Sequence, residues 1–170
     1  MDTKVITILG IGCALLADQG FGVSVVQALD ARYQFPENVQ LLDGGLLGVV
    51  LTGTIAQANH LIVIDSIANC GRPGDIYRLE DQEIRQRLTR KKNPVYQVEF
   101  LEALVHCQSL DAPPQTVLLA VEPADTQTLA CALTPVLQDK IDPMVALVLK
   151  ELDQLGVSYG NKKTESLSCA

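Results

Sequence analysis

VITILGIGCALLADQGFGVSVV, residues Val5 to Val26, is the stretch on which the reading of this chain turns. Val5 to Leu9 is a run of β-branched and aliphatic residues that stops at Gly10, the pattern of a short strand buried on both faces at the centre of a sheet. Gly10, Gly12, Gly20 and Gly22 follow, with Asp18 and Gln19 between the pairs, and then a helical pattern through Val23, Val26, Gln27, Ala28 and Tyr33. A strand that runs through a glycine-bearing loop into a helix sets polar side chains at the strand's carboxyl end, where open α/β sheets keep their ligand sites.

Working outward, Val39 to Leu42 reads as a second strand ending in Asp43-Gly44-Gly45, and Leu46 to Ala58 as a helix. Leu61 to Ile64 is a third, wholly apolar strand that ends at Asp65. Right-handed crossovers between such units place Asp18, Asp43 and Asp65 along one edge of a parallel sheet. Asp18 and Asp43 fit a turn or cap beside glycine as well as they fit a site; Asp65, directly after four apolar residues, does not. Farther on, Asp75 to Leu79 alternates like an antiparallel edge strand, and Glu80 to Leu88 is a charged helix leading to the basic loop Arg90 to Pro94. Tyr96, Phe100, Leu101, Leu104 and Val105 give the next helix an apolar face, and Val117 to Val121 is another buried strand, followed by Glu122. Thr134-Pro135 starts a helix, Pro143 implies a kink or restart near Asp142, and the last helix runs to about Leu155. The expected fold is a three-layer α/β/α domain over residues 1–156, with a twisted, mostly parallel sheet of about five strands and helices on both faces. Residues 157–170 are expected to form a flexible tail.

Composition narrows the function. A chain of 170 residues buries roughly two-thirds of its unfolded surface and needs neither metal nor disulfide to fold. The net charge of −7, with 13 scattered basic residues, disfavours nucleic acid. The densest basic group, Arg85, Arg87, Arg90, Lys91 and Lys92, reads as a solvated helix end and loop. Five cysteines without a CxxC pair, in a chain that starts on a strand with no signal peptide, point to the reducing cytoplasm. No apolar run approaches the ~20 residues that span a bilayer.

Four ordered features together resemble the hydrogenase maturation proteases, which trim the carboxyl-terminal extension from the large subunit of [NiFe] hydrogenases. They are the loop Gly10-x-Gly12-x-x-Leu15-Leu16-x-Asp18-x-Gly20-x-Gly22-Val23, then Asp43-Gly44-Gly45, then Leu61-Ile62-Val63-Ile64-Asp65 followed by Pro73-Gly74, and finally Tyr96-Gln97 leading to Glu102-x-Leu104. The resemblance implies a single α/β domain without a conventional nucleophile. It also implies recognition of nickel already inserted in the precursor, through a glutamate in the first loop, the aspartate after the third strand and a histidine at the start of the later helix.

In this chain those three positions hold Gln19, Asp65 and Tyr96, so one of the three implied metal ligands is present. A neutral amide oxygen is a weak ligand, and tyrosine, with a reference pKa of ~10, keeps its proton at neutral pH. His60 stands ~17 Å along its strand from Asp65, and His106 ~15 Å along its helix from Tyr96, too far to substitute. A rebuilt set of Asp18, Asp65 and Glu99 is the alternative. Cys13, in the first loop, reads as a small filler or a thiol to test. The expected catalytic carboxylates are Asp65 and Asp43, with Gln19, Tyr96, Asp18 and Glu99 lining the substrate cleft. No tightly bound cofactor is expected, since nickel arrives with the precursor. The expected protein is a cytoplasmic monomeric endopeptidase whose partner is a large-subunit precursor; the alternative is a non-catalytic assembly chaperone that binds the same partner. A nucleotide-binding loop is disfavoured because Leu15 occupies the third fingerprint glycine and no P-loop lysine follows.

Overall fold

In a computed structural model, the structure describes residues 4–45, 52–68, 71–88, 95–107 and 113–162. Strand β1 (Ile6–Ile11) leads through a 3-10 turn at Ala17–Gly20 into α1 (Phe21–Arg32), followed by the two-residue β2 (Tyr33–Gln34) and by β3 (Val39–Gly45). Then come α2 (Thr52–Gln57), β4 (His60–Ser66), β5 (Ile76–Glu80), α3 (Asp81–Leu88), α4 (Val95–Cys107) and β6 (Gln115–Val121). The chain closes with α5 (Pro135–Gln138), α6 (Ile141–Gln154) and β7 (Gly160–Asn161). Of the helix read over 46–58, residues 46–51 lie outside the described residues, as does the basic loop 90–94.

The main sheet has the order β3-β1-β4-β6-β5, parallel except for β5 at its edge. Strands alternate their side chains between two faces, and the apolar runs fill both. Ile6, Ile8, Ile62, Ile64, Leu119 and Val121 pack with α1, α5 and α6, while Leu9, Ile11, Leu61, Val63, Leu118 and Ala120 pack with α2, α3 and α4. The expected α/β/α layering is therefore the observed one.

From β1 the chain steps outward to β3, then crosses back over β1 to β4, so the direction of winding reverses between β1 and β4. That crevice, at the carboxyl ends of the two strands, is the topological switch point of the sheet. Gly22 makes it tight: a Cβ there would lie 2.2 Å from the Ile64 carbonyl oxygen and 2.6 Å from that of Ile11, so only glycine lets α1 sit this close to both strand ends.

Pro143 falls in the first turn of α6, after a break from α5, so the proline marks a restart instead of a kink. The segment read as a tail from residue 157 is partly built into the fold. Val157 and Tyr159 pack on the core, β7 pairs antiparallel with β2, and the rings of Tyr33, Phe35 and Tyr159 lie 5.9–6.2 Å apart. Apolar residues in an otherwise polar stretch explain the docking; residues 163–170 lie outside the described set. Among the described residues no helix is long and apolar enough to cross a membrane.

Candidate active site

Asp65 occupies the carboxyl end of β4, on the face covered by α4, and is 1% exposed. Its Oδ2 accepts a hydrogen bond from Gln97 Nε2 at 2.6 Å and its Oδ1 one from the Ser66 backbone N–H at 2.7 Å. The second hydrogen of the Gln97 amide goes to the Ser66 carbonyl at 2.9 Å. Burial raises the carboxyl's pKa well above the usual range, opposed by the bonds from Gln97 and Ser66, which favour the charged form. Across the crevice Gly12 has a φ of 125°, and a Cβ on it would lie 1.9 Å from the Gln19 carbonyl oxygen and 3.7 Å from Asp65 Oδ1. The first loop thus passes directly over the free side of Asp65.

Asp18 does something different. Fully buried, it accepts from the backbone N–H groups of Ala124, Asp125 and Thr134 and from the Thr134 hydroxyl, at 2.8–3.0 Å. A carboxylate offers about four acceptor sites, and four donors fill them. Asp18 is therefore the clamp between the first loop and the loop that follows β6, not a cleft carboxylate. The two loops are zipped by backbone bonds from Ala17 to Ala130, from Ala130 to Leu15 and from Asp18 to Asp125. Gln19 adds to the same junction, its Nε2 donating to the Thr126 carbonyl at 2.8 Å.

Asp43 does not converge with Asp65. Asp43 pairs with Gly10 and Gly10 with Ile64, which puts it two strands away, about 10 Å at the usual strand spacing. Strand alternation also turns it to the opposite face. Asp43 is exposed, and its Oδ1 accepts from the Gly45 N–H at 3.1 Å. The turn geometry alone accounts for that aspartate beside two glycines.

Tyr96 lies in the first turn of α4, with Glu99 three residues on; the side chains of both lie outside the described residues. The buried face of that helix is Gln97, Phe100, Ala103, Leu104 and Cys107, while Val105 is 47% exposed. Of the face expected through Tyr96, Phe100, Leu101, Leu104 and Val105, Phe100 and Leu104 are buried and Leu101 is partly buried, while Val105 turns outward and Gln97, Ala103 and Cys107 join the buried stripe. Gln97 is the site residue that the sequence reading passed over. A signal existed: Gln97, Phe100 and Leu104 stand at i, i+3 and i+7, so a polar side chain fell on the core stripe.

His60 opens β4 at the opposite edge of the sheet from Asp65, where burial, aided by the charge of Lys4, lowers its pKa. His106 is exposed in the last turn of α4. Cys13 is half-buried in the first loop and carries no disulfide. Among the described residues no three His, Cys, Asp or Glu side chains are placed to hold a metal ion. With Asp18 saturated by three backbone N–H groups and the Thr134 hydroxyl, the rebuilt set of Asp18, Asp65 and Glu99 loses a member, and the described residues do not fit a resident metal.

The family profile of hydrogenase maturation proteases matches residues 23–151. Hydrogenase expression/formation protein HupD of Thiocapsa roseopersicina is 37% identical over 153 residues, covering 89% of this chain and 69% of that protein. The hydrogenase 2 maturation protease of Escherichia coli is 34% identical over 154 residues, covering 89% of this chain and 93% of that protein. The solved structure of the hydrogenase maturating endopeptidase HybD from E. coli superposes with a TM-score of 0.88 at 33% identity, over 94% of this chain and 98% of that one. This chain belongs to the hydrogenase maturation protease family.

Proposed function

We propose that this protein is an endopeptidase that removes the carboxyl-terminal extension from the precursor of one [NiFe] hydrogenase large subunit. The observation that carries the reading is the placement of Asp65, a carboxyl buried at the switch point with its Oδ1 turned to the glycine loop. A carboxyl whose pKa lies well above the usual range holds its proton nearer to neutral pH, which suits acid–base work on a peptide bond. Neither histidine stands near enough to serve as its partner. Nickel belongs to the substrate in this reading, since Gln19 offers only a neutral amide and tyrosine a protonated phenol at two of the three ligand positions.

The rim of the crevice suits a macromolecular substrate. Leu15 and Leu129 are 58% and 80% exposed and flank the Leu16–Ala130 bridge, so two apolar side chains stand on a junction that Asp18 holds rigid.

The test is incubation of the protein with the nickel-loaded precursor from the same organism, read by intact mass. The expected result is loss of a short carboxyl-terminal peptide. An unchanged mass together with a stable complex on sizing would replace this reading with that of a chaperone.

A further inference from the structure

The amide of Gln97 is 98% buried by its 2% exposure, and both of its hydrogens are used, one on Asp65 Oδ2 and one on the Ser66 carbonyl. A buried side chain that spends its whole donor capacity on one carboxylate and the adjoining carbonyl is not filling space. The Ser66 bond fixes the height of the amide above the strand end, and the Asp65 bond, at 2.6 Å, fixes the plane of the carboxylate. With Oδ2 tied to α4 and Oδ1 tied to its own chain through the Ser66 N–H, the carboxyl has one orientation, and in it Oδ1 faces Gly12. We propose that Gln97 is the positioning residue of this site, holding Asp65 with Oδ1 directed at the glycine loop where the precursor's carboxyl-terminal segment enters. The inference rests on the proposed function for its role in cleavage, and on geometry alone for the orientation of Asp65.

The chemistry fits an amide better than any other side chain. A lysine or arginine would bring a full charge against Asp65 and hold it ionised, while a glutamate would set a second carboxylate at hydrogen-bond distance, where both cannot ionise. Glutamine orients the carboxyl with a neutral donor, whose pull toward the charged form is weaker than the opposing effect of burial. Asparagine is shorter by one methylene, about 1.5 Å, and its amide would fall short of both acceptors.

The experiment compares the wild-type protein with Gln97→Leu and Gln97→Asn in steady-state cleavage of the nickel-loaded precursor, alongside side-chain amide exchange by NMR without substrate. Misplacing a reacting group by about 1 Å costs roughly 10²-fold in rate. Both variants should lose about that factor in kcat of the folded fraction, with KM within about threefold of wild type. A merely structural glutamine would instead lower the urea midpoint while leaving kcat of the folded fraction intact, so it is kcat of the folded fraction that separates the two roles. In the NMR arm, the Gln97 side-chain amide protons should exchange far more slowly than those of the exposed Gln82 and Gln127, and the protection should fall in Asp65→Ala. A kcat for Gln97→Leu within threefold of wild type overturns the proposal. So does a Gln97 amide that exchanges as fast as the exposed glutamines. If the wild-type protein cleaves nothing, the proposed function fails, and the exchange measurement still decides the orientation of Asp65.

Discussion

Two buried aspartates lie at the same edge of one sheet, and the chain treats them in opposite ways. Around Asp18 four donors converge, three of them backbone N–H groups from a loop more than 100 residues away in sequence. Around Asp65 the described residues supply two, from Gln97 and from its own neighbour Ser66. A carboxylate whose acceptor sites are filled by three backbone N–H groups and a hydroxyl of one loop is a structural knot, since nothing can approach it without unpicking that loop. One left with unused capacity and facing a glycine-lined crevice is available for chemistry. Burial alone would have ranked the two as equals; the count of donors separates them.

The comparison breaks most visibly at Asp18. Asp18→Ala removes the acceptor of three part-buried N–H groups and of the Thr134 hydroxyl, and should cost on the order of 4 kcal/mol in urea unfolding. Exchange at the amides of Ala124, Asp125 and Thr134 should accelerate in step. A loss below about 1 kcal/mol would mean that the loop after β6 is held by something else.

Asp65→Ala should do the reverse. Cleavage is expected to fall by about 10³-fold, some 4 kcal/mol of transition-state stabilisation, while the urea midpoint stays level or rises. Normal processing by that variant would remove Asp65 from the site.

The pH dependence of stability sharpens the same contrast. Because the pKa of Asp65 is raised in the folded state, the folded protein binds more protons than the unfolded one between the two pKa values. The contribution is fully present below the unfolded pKa, near 3.9, and is lost as pH rises through the folded value. Asp65→Asn should abolish that decline, which one proton limits to about 1.4 kcal/mol per pH unit. Parallel stability curves for the two proteins across this range would mean that Asp65 is not buried as described.

The smallest effect is expected at Gln19→Glu. A carboxylate cannot donate to the Thr126 carbonyl, so the variant should lose about 1 kcal/mol and loosen the loop junction without unfolding it. A gain in stability would show that the amide bond is not formed in solution.

Much of this protein was legible in order of residues. The apolar runs before Gly10, Asp43 and Asp65, the antiparallel edge strand near Tyr77 and the glycine loop all report local physics: strand burial needs continuous apolar residues, and close helix–strand approach needs glycine. They placed three acidic residues on one sheet edge. Whether those residues meet depends on register, on the face each side chain takes and on which distant loop returns to the same edge, and none of that is local. Asp43 was sent to the opposite face by alternation along an edge strand, and Asp18 was claimed by the loop after β6. The phase of α4 is likewise a tertiary result. Packing set Gln97 against Asp65, on the same buried face of the helix as Phe100, Ala103 and Cys107. The sequence by itself determined the layered α/β fold and the one aspartate at the end of a wholly apolar strand. Only the tertiary structure decided which aspartate is a knot and which is a site, because donors that saturate a carboxylate come from wherever the folded chain brings its backbone.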